Sequence, residues 1–391
     1  MSSSASDWRV VDGVTTAWFD APSLGAGAAL AERALAASPD ARIELRDRGV
    51  RIRLDADDEA GAVSTAARSL GLTAAPARLQ QLGVVFEATD QTAVSAFWQR
   101  VTGYEAAAAA AALTDPLGRG PSLRFEPSHE RRPERHRLHL DVVRPESVVG
   151  EVRPGEPSGP YGVCHRDPDG NEVDLVPGGP LGEQAETDDW REVFSAMACY
   201  RIRSTREQVE LAKAAARLAG DAGFPLLVDL RPGLVVLDSG KDRSDAEAHG
   251  LDVDFTGLAV ALQAAARRLG AVADPSAPRF VQLFLDAADV AAVRAFWVAA
   301  LGYAEDRRAH TTDIVDPSRL GPEVVFQQID LADTGRREQR NRMHVELAVP
   351  SDTAAARVET MLAAGGRLLE RPDVRWRVAD PEGNEILVVG G

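Results

Sequence analysis

At 391 residues and 45% hydrophobic side chains, the chain is long enough for roughly two to four cored domains and is no small stapled scaffold. A formal net charge of −16 repels nucleic acid, and two cysteines, Cys164 and Cys199, are too few for a disulfide framework or a cysteine zinc cluster, so a reducing, cytoplasmic setting is expected. The first eight residues carry neither a basic region nor an apolar run, and the alanine-rich stretch at 106–113 is too short to span a bilayer, so no membrane partner is expected.

Residues 8–19 read as strand, residues 25–37 as an alanine-rich helix stopped by Pro39, residues 43–54 as two alternating strands turning at Gly49, and residues 60–70 as a second helix. The third quarter repeats this order. Asp189, Trp190 and Arg191 match Asp7, Trp8 and Arg9; a helix over 206–222 precedes Pro225; a hairpin turns at Gly233; and a helix over 255–269 closes the unit.

The second and fourth quarters form another repeat. Each opens with a strand, 82–88 or 280–286, followed by a helix starting at Asp90 or Asp289. Val94, Phe97, Trp98 and Val101, and likewise Val293, Phe296, Trp297 and Leu301, recur at helical spacing, which predicts core faces and not a ligand box. Gly103 and Gly302 are placed to cap these helices. Beyond strands at 122–126 and 323–328 comes an arginine-rich loop, then Arg-x-His-x-acid (Arg137, His139, Asp141; Arg342, His344, Glu346), and finally Asp-Pro-x-Gly-Asn-Glu at 167–172 and 380–385. The copies lie 205 residues apart at the histidine (139 and 344) but 213 apart at the closing glutamate (172 and 385), so the first copy lacks 8 residues. The second copy keeps a helix there, over 353–364, and the first is trimmed to a short bypass.

This element order, with both signatures present twice, resembles the vicinal-oxygen-chelate superfamily (glyoxalase I, extradiol dioxygenases, bleomycin-resistance proteins), and more closely its glyoxalase-like domains. The first and third quarters resemble pterin-4a-carbinolamine dehydratases, through the Trp-Arg opening, the helix ending at proline, the hairpin and the closing helix. The resemblance implies an α+β fold. Two glyoxalase-like domains of paired βαβββ modules, at 77–180 and 278–391, alternate with two small dehydratase-like domains of helices on an antiparallel sheet, at 1–76 and 188–273. The dehydratase family works through a His-His-Pro tripeptide and a later histidine. Here those places hold Ala37-Ser38-Pro39 and Gly223-Phe224-Pro225, then Ala56-Asp57 and Ser239-Gly240, so both copies are read as degenerate.

Enzymatic glyoxalase-like proteins hold a divalent metal with a His or Gln and a Glu from each module, in a cup. Carried over, the histidines are His139 and His344, and the last-strand carboxylate is Asp174 in the first copy but Leu387 in the second. The first-strand ligand falls near Gly83 and Gln282, and the fourth-strand ligand near Glu126 and Gln327. The first copy therefore offers Glu126, His139 and Asp174 as a three-ligand site for one divalent metal. The second offers Gln282, Gln327 and His344 without a carboxylate. Four histidines, His129, His136, His139 and His165, cluster in the first copy.

The loop arginines, Arg131, Arg132, Arg135 and Arg137 in one copy and Arg336, Arg337, Arg340 and Arg342 in the other, suggest an anion site at each cup mouth, against simple pairing with Glu130, Glu134 and Glu338. Candidate ligand contacts are Arg137, Gln282, Gln327, Arg342 and His344, with no catalytic residue assigned. The functional expectation is a glyoxalase-like protein that binds a small molecule without turnover, as a monomer or homodimer. The alternatives are a metal-dependent lyase, isomerase or dioxygenase, and a pterin carbinolamine dehydratase.

Overall fold

The computed structural model describes residues 7–57, 59–107, 112–130, 132–152, 154–242, 245–251, 253–371 and 374–391. It is mixed α+β and divides into two compact units, each assembled from two separate stretches: Met1–Leu79 with Gly178–Pro278, and Gln80–Pro177 with Arg279–Gly391. The first and third quarters thus share one unit, and the second and fourth the other. Among the described residues, no helix is long and apolar enough to cross a membrane.

The first unit is built on a ten-stranded antiparallel sheet. Each copy contributes a tight hairpin, Arg42–Arg46 with Gly49–Leu54 and Leu227–Arg231 with Leu234–Asp238. The hairpins join edge to edge, Arg42–Arg46 against Leu227–Arg231, with Glu44 opposite Asp229. Strand alternation then sorts the side chains. Ile43, Leu45, Val228 and Leu230 enter the apolar core with the helices Leu24–Ala37, Ala60–Ser69, Thr205–Ala222 and Phe255–Arg268. The other face carries a buried ion-pair lattice in which Arg46 meets Asp229 at 2.6 Å and Arg231 meets Glu44 at 2.6 Å, two crossed pairs over the seam between copies. Helix starts follow the side-chain capping rule: Ser23 accepts from the Ala26 amide and Ser204 from the Glu207 amide.

In the second unit the two repeats exchange halves. One sheet runs Cys164–Arg166, Glu172–Gly178, Leu138–Pro145, Phe280–Ala287, Val324–Gln328, Ile314–Val315, Ala304–Glu305. The other runs Arg367–Glu370, Arg375–Ala379, Glu385–Gly390, Met343–Val349, Gln81–Ala88, Ser122–Pro127, Ala112–Thr114, Glu105–Ala106. Each sheet therefore pairs the C-terminal half of one copy with the N-terminal half of the other, through antiparallel ladders from Leu138 to Leu285 and from Met343 to Phe86.

The helices Gln91–Thr102 and Val290–Leu301 begin at Asp90 and Asp289, whose side chains accept backbone amides, and end at Gly103 and Gly302 with φ of +68° and +64°. Phe97, Trp98, Phe296 and Trp297 are core residues, as their spacing predicts. The second copy has its helix at Ser351–Ala363, where the first has only the short Glu146–Val152.

Candidate functional site on the polar faces of the two sheets

Strand period sets what each sheet of the second unit shows. On Leu138–Pro145, Leu138, Leu140 and Val142 enter the apolar core, so His139 and Asp141 project from the other face. On Phe280–Ala287, Val281, Leu283 and Leu285 are core, leaving Gln282, Phe284 and Asp286 beside them. Register puts His139 opposite Phe284 and Asp141 opposite Gln282. The His139 and Phe284 rings stack at 5.0 Å between centroids, and Gln282 Nε2 donates to Asp141 Oδ2 at 2.9 Å. Val173 and Leu175 are core on the next strand, which leaves Asp174 on the polar face opposite Cys164.

The result is a compact donor set. One ligand atom from each of His139, Asp141 and Asp174 lies within 4.8 Å of the others, and His139 Nε2 stands 3.6 Å from Asp141 Oδ1. Burial lowers the His139 pKa, partly offset by Asp286 and Asp174, and so favours the neutral ring that can ligate a metal. His139 Nδ1 and Gln282 Oε1 are buried without a hydrogen-bond partner. An imidazole nitrogen, two carboxylates and a neighbouring amide oxygen form a set that fits a hard or borderline divalent cation.

His139 and Asp174 are thus brought together, and Asp141 joins them. Sequence reading passed over Asp141, although it is the acid of the Arg-x-His-x-acid signature and residues i and i+2 of a strand share a face. Glu126 is not part of the group. It is exposed on Ser122–Pro127, in the other sheet, opposite Glu87. The half-exchange also separates Gln282 and Gln327 from His344: both glutamines belong to the His139 sheet, where Gln327 donates to Asp286.

The arginines are largely engaged internally. Arg137 is buried and donates to the carbonyls of Arg337 (2.8 Å) and Glu382 (2.9 Å). Arg342 donates to the Arg132 carbonyl at 2.7 Å and packs on His136, whose burial and neighbouring Arg342 push its pKa down to about 4. Arg132 pairs with Glu87 and Glu130, Arg135 with Glu172, Arg336 with Asp286, and Arg340 with Glu87 and Glu385. Arg337 donates to the Leu331 carbonyl, and Arg131 lies outside the described residues. Charge pairing, more than an anion site, is what the basic loops build. Its principal acids are Glu87, Glu172, Asp286 and Glu385, joined by Glu130 of the sequence-proposed partners.

The His344 sheet differs. His344 stands opposite Val85, and Glu346 stands opposite both Gly83 and Leu387. Among the described residues it holds no comparable metal-ligating group.

A glyoxalase-like domain model matches the chain twice, at residues 83–176 and 282–389. No curated protein matches. Among solved structures, glyoxalase I from Zea mays is similar at a TM-score of 0.37 and 10% identity, covering 80% of this chain and 92% of that one. The cppA protein from Streptococcus pneumoniae TIGR4 is similar at a TM-score of 0.35 and 9% identity, covering 80% and 97%. Likeness at that level carries no functional argument.

Proposed function

The chain belongs to the glyoxalase-like domain family, and from that premise we propose that it binds a small oxygen-bearing molecule at one divalent cation held by His139, Asp141 and Asp174. The observation that carries this reading is the convergence of those three ligand atoms on one polar sheet face. A cation held there would act as a Lewis acid toward a carbonyl or a pair of adjacent oxygens. The chain's own residues supply the orientation: Phe284 stacks on the His139 ring and the Gln282 amide holds one oxygen of Asp141, so two of the three ligands are fixed by neighbours. Asp174 is half-buried.

Binding is what this geometry supports; a lyase, isomerase or dioxygenase step would be built on it. Pterin dehydration gains no support, since no imidazole stands at 37–39, 56–57, 223–225 or 239–240, and Ser239 Oγ already accepts the Ala196 amide at 2.9 Å.

Elemental analysis of protein purified without chelators tests the reading. About one divalent ion per chain is expected, lost in His139→Ala and Asp174→Asn and kept in Glu126→Ala and His344→Ala. Protein without metal, whose melting temperature is unmoved by added Mn²⁺, Zn²⁺, Ni²⁺ or Mg²⁺, overturns it.

A further inference from the structure

The two sheets of the second unit are built on the same register, so their polar faces can be compared position by position. Asp141 opposite Gln282 corresponds to Glu346 opposite Gly83, and His139 opposite Phe284 corresponds to His344 opposite Val85. Three positions turn toward positive charge on the His344 sheet, while Gln327 becomes Glu126. Val325, beside Phe284, becomes Arg124, beside Val85. Cys164 opposite Asp174 becomes Arg377 opposite Leu387. Guanidiniums thus join the carboxylates of the His344 face, where Glu346, Glu87 and Glu385 stand at the places of Asp141, Asp286 and Glu172. On the strand Gln81–Ala88 bulk falls, since Gly83 and Val85 stand where the first sheet has Gln282 and Phe284.

The guanidiniums are held in place and remain in reach of solvent. Arg124 Nε meets Glu346 at 3.0 Å with its side chain 32% exposed, and Arg377 Nη1 meets Glu385 at 2.8 Å with 18% exposed. Between them on the middle strand is His344. Its side chain is 2% exposed, yet neither ring nitrogen has a hydrogen-bond partner. Leaving a buried imidazole unsatisfied is costly, and a bound acceptor would relieve that cost. Burial and the neighbouring Arg377 push its pKa down to about 4, which keeps the ring neutral, with one N–H to donate.

We propose that the polar face around His344 is a second, metal-independent binding site for a small carboxylate, seated between the guanidiniums of Arg124 and Arg377 with the His344 imidazole donating to it. The site is independent of the cation at His139, and it uses fork-shaped donors suited to a planar carboxylate.

The test uses the full chain stripped of metal with EDTA, so its outcome does not depend on the His139 group. Benzoate, succinate and inorganic phosphate are titrated separately by calorimetry. Saturable binding of benzoate or succinate is expected, weakened about tenfold or more by Arg124→Gln and by His344→Gln and unchanged by His139→Ala. Circular dichroism melts establish that each variant is folded; if His344→Gln is not, the partly exposed Arg124→Gln decides alone. Three results overturn the proposal: neither carboxylate binds, phosphate alone binds, or carboxylate binding survives in folded Arg124→Gln. Loss of binding in His139→Ala would place the ligand on the other sheet and overturn it equally.

Discussion

The indole Nε1 of Trp297 donates to Asp380 Oδ2 at 3.0 Å, and Trp98 does the same to Asp167 at 2.9 Å, so each Asp-Pro-x-Gly-Asn-Glu turn is tied to the core helix of its own repeat. Asp380 also accepts the amides of Glu382 (2.8 Å) and Asn384 (2.9 Å) and the Asn384 side chain (2.7 Å). Replacing Asp380 with Ala strands several buried donors. We expect a loss of about 3 kcal/mol or more in urea unfolding, against about 1–2 kcal/mol for Asp380→Asn, which keeps one side-chain acceptor oxygen. Equal losses in the two variants would show that the turn does not depend on that acceptor.

Gly120 and Gly321 face buried tyrosines. A Cβ on Gly120 would lie 1.9 Å from Tyr104 Oη, and one on Gly321 would lie 2.2 Å from Tyr303 Oη. Both hydroxyls are buried without a hydrogen-bond partner. Gly120→Ala should therefore cost about 2 kcal/mol by overpacking, and Tyr104→Phe alone should be close to neutral. Combining them should recover about half of the loss, a coupling that a double-mutant cycle reads directly.

Two buried imidazoles make the fold acid-sensitive. His136, facing Arg342, Arg132, Arg137 and Glu172, and His344, facing Arg377, Arg340, Glu385 and Glu87, are each pushed down to about 4 from an ordinary 6.5, chiefly by burial. Both are depressed bases, so between pH 6.5 and 4 the unfolded chain binds protons that the folded chain does not. The contribution of these two imidazoles is then full above 6.5, falls as the pH drops through that window, and levels off below 4. Each site contributes about 3 kcal/mol to the total change across the window. Urea midpoints measured across this range should flatten in His136→Gln; an unchanged slope would locate the acid sensitivity elsewhere.

In the first unit, the crossed pairs Arg46–Asp229 and Arg231–Glu44 hold the seam between the two hairpins. Asp229 is fully buried, so Asp229→Ala takes the carboxylate from a buried guanidinium and should cost about 3–5 kcal/mol. Lys213→Ala, which removes the exposed pair with Glu32, should cost under about 1 kcal/mol in the same assay. A similar cost for both would mean that the seam is held by its apolar face.

Much of the local structure was legible in the residues themselves. Asp90 and Asp289 mark helix starts, Gly103 and Gly302 mark their ends, and the Phe-Trp pairs mark core faces, because capping and 3.6-residue periodicity depend on neighbours within a turn or two of chain. His139 and Asp174 were also readable as companions, since both fall within one repeat and on strands of one sheet. Asp141 was within reach of the same logic, by strand alternation alone.

The sequence by itself determined the duplication, the helix boundaries and which strand residues leave the core. Only the tertiary structure decided which strands are neighbours. Two nearly equivalent repeats offer nearly equivalent strand edges, and hydrophobic alternation satisfies either pairing, within a copy or between copies, so local pattern cannot choose. The choice fell to long-range ladders, Leu138–Val143 against Phe280–Leu285 and Met343–Ala348 against Gln81–Phe86. That exchange removed Glu126 from the His139 group, moved Gln282 and Gln327 away from His344, and brought Arg124 into the sheet of His344.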